Sequence, residues 1–239
     1  MLTLHKFMPA WGLPDLSPFC IKAETYLRMV GVPFQVAVAD TRKAPKAKLP
    51  YLVDGSLTIA DSRDIIDHVE KTLERPLDAD LSAEQRAIVV AFRGLLEEEA
   101  YYLVIHQRWK QDAGWRTYIP IMSGYLRQIG VPGPIAPLVA GLVRRQMVRT
   151  LWGQGIGRHS AEQVDARALA IVEAVCVQLG DKPFFLGDEP RTIDATVYAF
   201  MATLLDTPFE SEAATFGRAQ DNLCAYTRRI REQYFSNPA

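Results

Sequence analysis

The chain has 239 residues, 49% of them hydrophobic and 23% charged, enough apolar side chain for a buried core and too much for a disordered chain. Its 27 lysines and arginines balance 28 aspartates and glutamates, leaving a formal charge of −1, whereas nucleic-acid binders concentrate positive charge. Three scattered cysteines, Cys20, Cys176 and Cys224, exclude a disulfide scaffold, and no CxxC or HExxH metal spacing occurs.

Met1 to Phe7 has no cationic stretch followed by an apolar run, so no signal peptide is expected. The stretch 2–7, Leu-Thr-Leu-His-Lys-Phe, alternates apolar and polar residues as a strand does. After a loop with Pro9, Gly12 and Pro14, Ser17-Pro18 opens a helix: Ser suits the N-cap and Pro the first helical position. Phe19, Ala23, Tyr26, Leu27 and Val30 form its apolar stripe and Gly31 stops it. Phe34 to Val38 reads as a strand. Pro50 to Val53 and Leu57 to Ala60 read as a hairpin turning at Asp54-Gly55. Asp61-Ser62 begins a second helix, with Ile65, Ile66, Val69 and Leu73 on its buried face.

Residues 74–80 are polar, hold Pro76 and read as a linker between domains 1–75 and 82–239. Beyond it helical periodicity dominates. Helices are expected from Ala83 to about Trp109, Ala136 to Leu151, Ala161 to Leu179, Thr192 to Leu205 and Asn222 to Tyr234, with Gln111 to Pro134 ambiguous. The most apolar segment, 131–143, is interrupted by three prolines and two glycines and is shorter than the ~20 residues of a membrane span. A soluble, cytoplasmic protein with reduced thiols is the expectation.

The order βαβ then ββα is that of a thioredoxin-like domain, here followed by an all-helical domain, an α+β chain. Three local motifs sit at matching places: Ser17-Pro18-Phe19-Cys20 opening the first helix, Lys48-Leu49-Pro50-Tyr51-Leu52 before the third strand, and Asp61-Ser62-Arg63-Asp64-Ile65 opening the next helix. Together with the helical half they resemble the glutathione transferase superfamily over nearly the whole chain. Three longer stretches, 17–28, 153–159 and 183–190, are similar to the branch containing metaxins and failed axon connections proteins, whose members are less uniformly catalytic.

The resemblance implies glutathione as substrate, no metal, and a homodimer. It implies a cis Pro50, with the Leu49 backbone free to pair with the tripeptide, and a γ-glutamyl site at Asp61 and Ser62. Ser62 and nearby N–H groups suit its carboxylate and Asp61 its ammonium. Lys46 and Lys48 are candidates for the glycine carboxylate or plain loop charges. Ser17, at a helix N-terminus, either stabilises the thiolate or caps its own helix; Cys20, in the same turn, is either the reactive thiol or a buried small hydrophobe.

Ile88, Phe92, Leu95, Glu99, Tyr102 and His106 recur on one helical face. In the superfamily that the chain resembles, this helix borders the cleft between the domains, which implies Glu99, Tyr102 and His106, flanked by Tyr101 and Trp109, as candidates for an acceptor-substrate pocket; a buried polar network is the alternative. Arg144, Arg145, Arg149, Arg158 and His159 bias the middle of the chain positive, either to receive an anion or to pair with other helices. Arg191 stands where the superfamily usually has the Thr or Ser of a capping box with Asp194, so Thr192 is the candidate cap.

Three functions compete: transfer of activated glutathione to a small electrophile, a one-cysteine thiol reductase using Cys20, and a non-catalytic binding or assembly protein.

Overall fold

The computed structural model describes residues 1–236. Four strands form one sheet in the order β2-β1-β3-β4. β1 (Leu2–Lys6) runs parallel to β2 (Phe34–Val38) and antiparallel to β3 (Tyr51–Asp54), which pairs antiparallel with β4 (Leu57–Ala60). The hairpin pairs Asp54 with Leu57, so its turn is Gly55-Ser56, one residue later than the sequence suggests.

Parallel strands need a crossover, and α1 (Pro18–Met29) supplies it between β1 and β2. It ends where expected, because Gly31 takes φ +67 at no steric cost. α1 and α2 (Ser62–Glu70) cover one face of the sheet, and Leu4, Tyr26, Leu27, Leu52 and Ile65 are fully buried between the layers. Lys6 shares the inward face of Leu4 through the two-residue period of a strand, so it too is buried, at 5% exposure.

The helical half begins with α3 (Ala83–Gly94), which carries a full Ser82–Gln85 capping box. The helical path continues through a π-helical turn (Leu95–Ala100), α4 (Tyr101–Ile105) and a second π-turn (His106–Lys110). Then come α5 (Asp112–Gln128), α6 (Ala136–Gln154), α7 (Ala161–Leu179), α8 (Thr192–Leu205), α9 (Glu212–Arg218) and α10 (Asp221–Phe235). α8 is the axis of this half: thirteen of its residues are buried, and it packs against α1, so Ala195 belongs to the core of the small domain.

The ambiguous stretch after Gln111 is thus a helix, α5, with Pro120 inside it. Its Gly114 is a packing requirement, since a Cβ there would lie 1.9 Å from the Gln107 carbonyl oxygen. No described helix is long and apolar enough to cross a membrane.

Candidate functional site

Three chain segments meet at one edge of the small domain. The first is the start of α1. Ser17 is its N-cap in extended conformation, yet its hydroxyl makes no capping hydrogen bond. Instead the Ser17 N–H donates to Asp15 Oδ1 at 2.8 Å, a bond that fixes the turn, and the half-buried hydroxyl meets the Cys20 thiol.

Behind Ser17 lies Cys20, 0% exposed and packed with Ala39, Ala44 and Leu49. Burial and the neighbouring Asp15 push its thiol well above its ordinary value. A buried, protonated thiol is a poor nucleophile, so the geometry favours the structural role for Cys20.

The second segment is the Leu49–Pro50 bond, which is cis, as the resemblance implied. The Leu49 side chain points inward at 6% exposure, and the Pro50 carbonyl accepts from the Asp61 N–H at 3.4 Å, which joins this segment to the third. There Asp61 adopts φ +95, a conformation side chains rarely take. Its Oδ1 accepts from the Arg63 N–H at 2.9 Å, so Asp61, not Ser62, caps α2. Ser62 is 2% exposed and its Oγ has no hydrogen-bond partner among the described residues. A buried hydroxyl left unpaired costs roughly 1–3 kcal/mol. Of the two loop lysines, Lys46 is held by Asp64 at 3.0 Å and Lys48 is exposed.

Beneath the α1 turn is a buried ionic cluster that no local sequence pattern announces. Asp15 is 0% exposed. Lys6 Nζ lies 3.8 Å from it and 2.8 Å from Glu24, and Glu24 also binds Arg28 at 2.9 Å. Burial pushes the Asp15 carboxyl up to about 7, against the pull of Lys6 and the Ser17 N–H.

The expected acceptor residues are brought together differently. Tyr101 is the member that faces α1: its ring meets Phe19 edge-on at 5.0 Å. Glu99 and Tyr102 turn away from the interdomain cleft onto a groove of about 920 Å³, opposite Arg158, His159 and Arg167. His106 is 2% exposed, and burial pushes its pKa down to about 4. Trp109 is core, stacked on Trp115 and edge-on to Tyr118. The physical reason is the π-turn at 95–100. It lets one extra residue into the i→i+4 ladder and rotates the residues downstream of it by roughly 100°, so a uniform helical count aims the wrong face at the cleft.

The cleft face carries Tyr101 and, seven residues on, Arg108, which is 3% exposed. Arg108 donates to the Leu16 carbonyl at 2.7 Å and lies over the rings of Trp11, Tyr118 and Phe209 at 5.4–5.8 Å. α5 closes over this cluster: Tyr125 donates to the Ala39 carbonyl at 2.8 Å and meets Phe7 edge-on at 4.9 Å. The seven-residue spacing from Tyr101 to Arg108 was the available signal. Tyr118 and Tyr125 were hidden in α5 by Pro120 and the helix glycines.

The likeness to known proteins runs over the same segments. A family model described as glutathione S-transferase N-terminal domain matches residues 18–114, and one described as glutathione S-transferase, C-terminal domain, matches 168–230. The segment between them contains nearly all of α5 and the whole of α6. An isoprene-epoxide–glutathione S-transferase of Rhodococcus sp. (strain AD45) is 37% identical over 240 residues, spanning 98% of this chain and 99% of that protein. Metaxin-1 of Mus musculus is 31% identical over 237 residues, spanning 94% of this chain and 72% of that protein. Among solved structures, glutathione S-transferase III in apo form aligns over 100% of this chain and 97% of its own, with a TM-score of 0.61 at 15% identity, a likeness of fold. With the two family matches in order along the chain and a whole-length relative at this identity, the chain belongs to the glutathione transferase family.

Proposed function

We propose that this protein binds glutathione against the N-terminal ends of α1 and α2 and directs its thiol at a small electrophile under α5. The observation that carries the proposal is Ser62: a buried hydroxyl without a partner, in the first turn of α2 and beside the cis-proline segment. A carboxylate there accepts from the hydroxyl and from the free N–H groups of the helix end. Asp61, exposed and already shaped by its cap bond, is placed for the neighbouring ammonium. The tripeptide backbone then lies along Leu49 as an added strand would.

This pose brings the cysteinyl sulfur toward Ser17, whose uncapped hydroxyl and helix N-terminus favour thiolate over thiol. Holding thiolate and electrophile together supplies the remaining rate gain. The relative from Rhodococcus acts on an isoprene epoxide by its name, and a small epoxide is the electrophile class proposed here. The sulfur attacks a ring carbon, the carbon–oxygen bond breaks, and the alkoxide takes a proton from water. The step uses no metal. The working form is proposed to be a cytoplasmic homodimer, testable by light scattering and cell fractionation.

Calorimetric titration with glutathione tests the proposal. Wild type binds, and Ser62→Ala weakens binding by about tenfold or more through loss of one hydrogen bond to a charged group. Ser17→Ala leaves binding intact and lowers turnover at saturating glutathione by about a hundredfold. Cys20→Ser leaves turnover in place; its loss would restore the reductase reading. No binding to wild type overturns the proposal. Binding without turnover across epoxides and alkyl halides makes the protein a glutathione-binding module instead.

A further inference from the structure

A surface helix ordinarily turns a polar face to water. α6 does not. Its inward face packs Ala136, Ala140 and Leu151, all 0% exposed. Its outward face and the residue before it carry Ile135 at 46%, Leu138 at 68%, Leu142 at 54% and Trp152 at 60% exposure. These recur at intervals of three, four, ten and share one side of the helix.

The places left between them on that side belong to Arg145 and Arg149. Both are exposed, and neither has an ion pair among the described residues. Arg144 is different: it is held by Asp112 at 2.7 Å. Arg158 lies over the Trp152 ring at 5.4 Å. Between 112 and 158 the sequence has six arginines and a single carboxylate, Asp112, in a protein whose formal charge is −1. Arg144 apart, the positive bias legible in the sequence is not spent on carboxylates of other helices among the described residues.

We propose that the outward face of α6 is a peripheral docking surface for an anionic lipid bilayer. Leucines and an isoleucine enter the acyl boundary, Trp152 sits at headgroup level, and Arg145 and Arg149 extend to lipid phosphates. A second copy of the chain fits less well. A two-fold contact along α6 would set these arginines against themselves, and no carboxylate lies anywhere in 136–154 to neutralise them.

Flotation of the full chain with phosphatidylcholine vesicles, with and without phosphatidylglycerol, tests this. The protein is expected to float with phosphatidylglycerol vesicles at low salt and to be released at high salt. The Arg145→Glu/Arg149→Glu variant loses at least about thirtyfold in partitioning. Leu138→Glu/Leu142→Glu, at exposed positions, abolishes flotation while leaving the thermal midpoint and retention on immobilised glutathione unchanged. Equal behaviour with both vesicle types, or no flotation, overturns the proposal. So does a dimer in solution that Leu138→Glu/Leu142→Glu dissociates, which would make the face a self-interface.

Discussion

The Asp78 carboxylate caps α8 from a distance of 114 residues: Oδ1 accepts from the Thr192 N–H at 3.0 Å and Oδ2 from the Thr192 hydroxyl at 2.5 Å. This resolves the departure at Arg191, which is the N-cap residue yet has no oxygen to offer. Half of the capping box survives, since Asp194 accepts from the Arg191 N–H at 2.8 Å. Thr192, the expected cap, is instead the capped residue. The Arg191 guanidinium reaches the Leu77 carbonyl and Asp80, while the Leu77 N–H donates to Glu70 of α2 at 3.2 Å, so this segment is tied to both halves.

Asp78→Ala removes that cap and leaves the Thr192 pair unpartnered, at a cost of about 1–2 kcal/mol in stability. Asp78→Asn keeps an acceptor oxygen and recovers part of it. Urea denaturation of both variants checks the order. An alanine variant as stable as wild type would show that the contact carries no weight.

Gly114→Ala tests the crossing of α5 with the second π-turn. The added methyl would meet the Gln107 carbonyl, and backbone on both sides has to part. Overpacking of this kind costs about 1–3 kcal/mol. Gly124→Ala is the control, because its Cβ would find nothing nearer than 4.0 Å, and it should be neutral or slightly stabilising.

The contrast between these glycines shows what a sequence withholds. The sheet, α1, α2, α7 and α8 were legible because each has one period and a clear start: Ala161–Leu179 and Thr192–Leu205 match the expectation end to end. α5 was not, since Gly114 and Pro120 read locally as breakers, and the need for Gly114 arises from a contact seven residues back. The candidate site divides the same way. Ser17, Pro50 and Ser62 mark element starts and can be found by their position in motifs. Asp15 and Arg108 are buried charges in a loop and a helix, and their role depends on partners that only the fold supplies.

His106 gives the fold an acid-side weakness. Burial and Lys110 hold its pKa near 4, below its ordinary 6.5, so it is neutral in the folded protein. The unfolded chain binds the extra proton between these values, so stability is lost as pH falls through that window. The full difference corresponds to about 3 kcal/mol. His106→Gln, which does not titrate, should lack this loss, so that its unfolding free energy rises relative to wild type as pH falls from 6.5 to 4. A His106→Gln variant whose slope across this window equals that of wild type would contradict the assignment.

Asp15 acts with the opposite sign. Its carboxyl is pushed up to about 7 from an ordinary 3.8, so the folded state holds its proton more tightly than the unfolded chain does. That contribution is complete below pH 3.8 and is lost as pH rises through 7. Lys6 and Glu24 face the same group and remain in either protonation state. Asp15→Asn stays uncharged throughout and still offers an oxygen to the Ser17 N–H, so the α1 turn is kept. Relative to wild type, the variant's unfolding free energy should rise as pH goes from 4 to 7 and level off above that, and the variant should retain glutathione binding. Asp15→Ala, with no acceptor for that N–H, should lose turnover along with stability. If Asp15→Asn instead showed the wild-type slope, Asp15 would not be the titrating group.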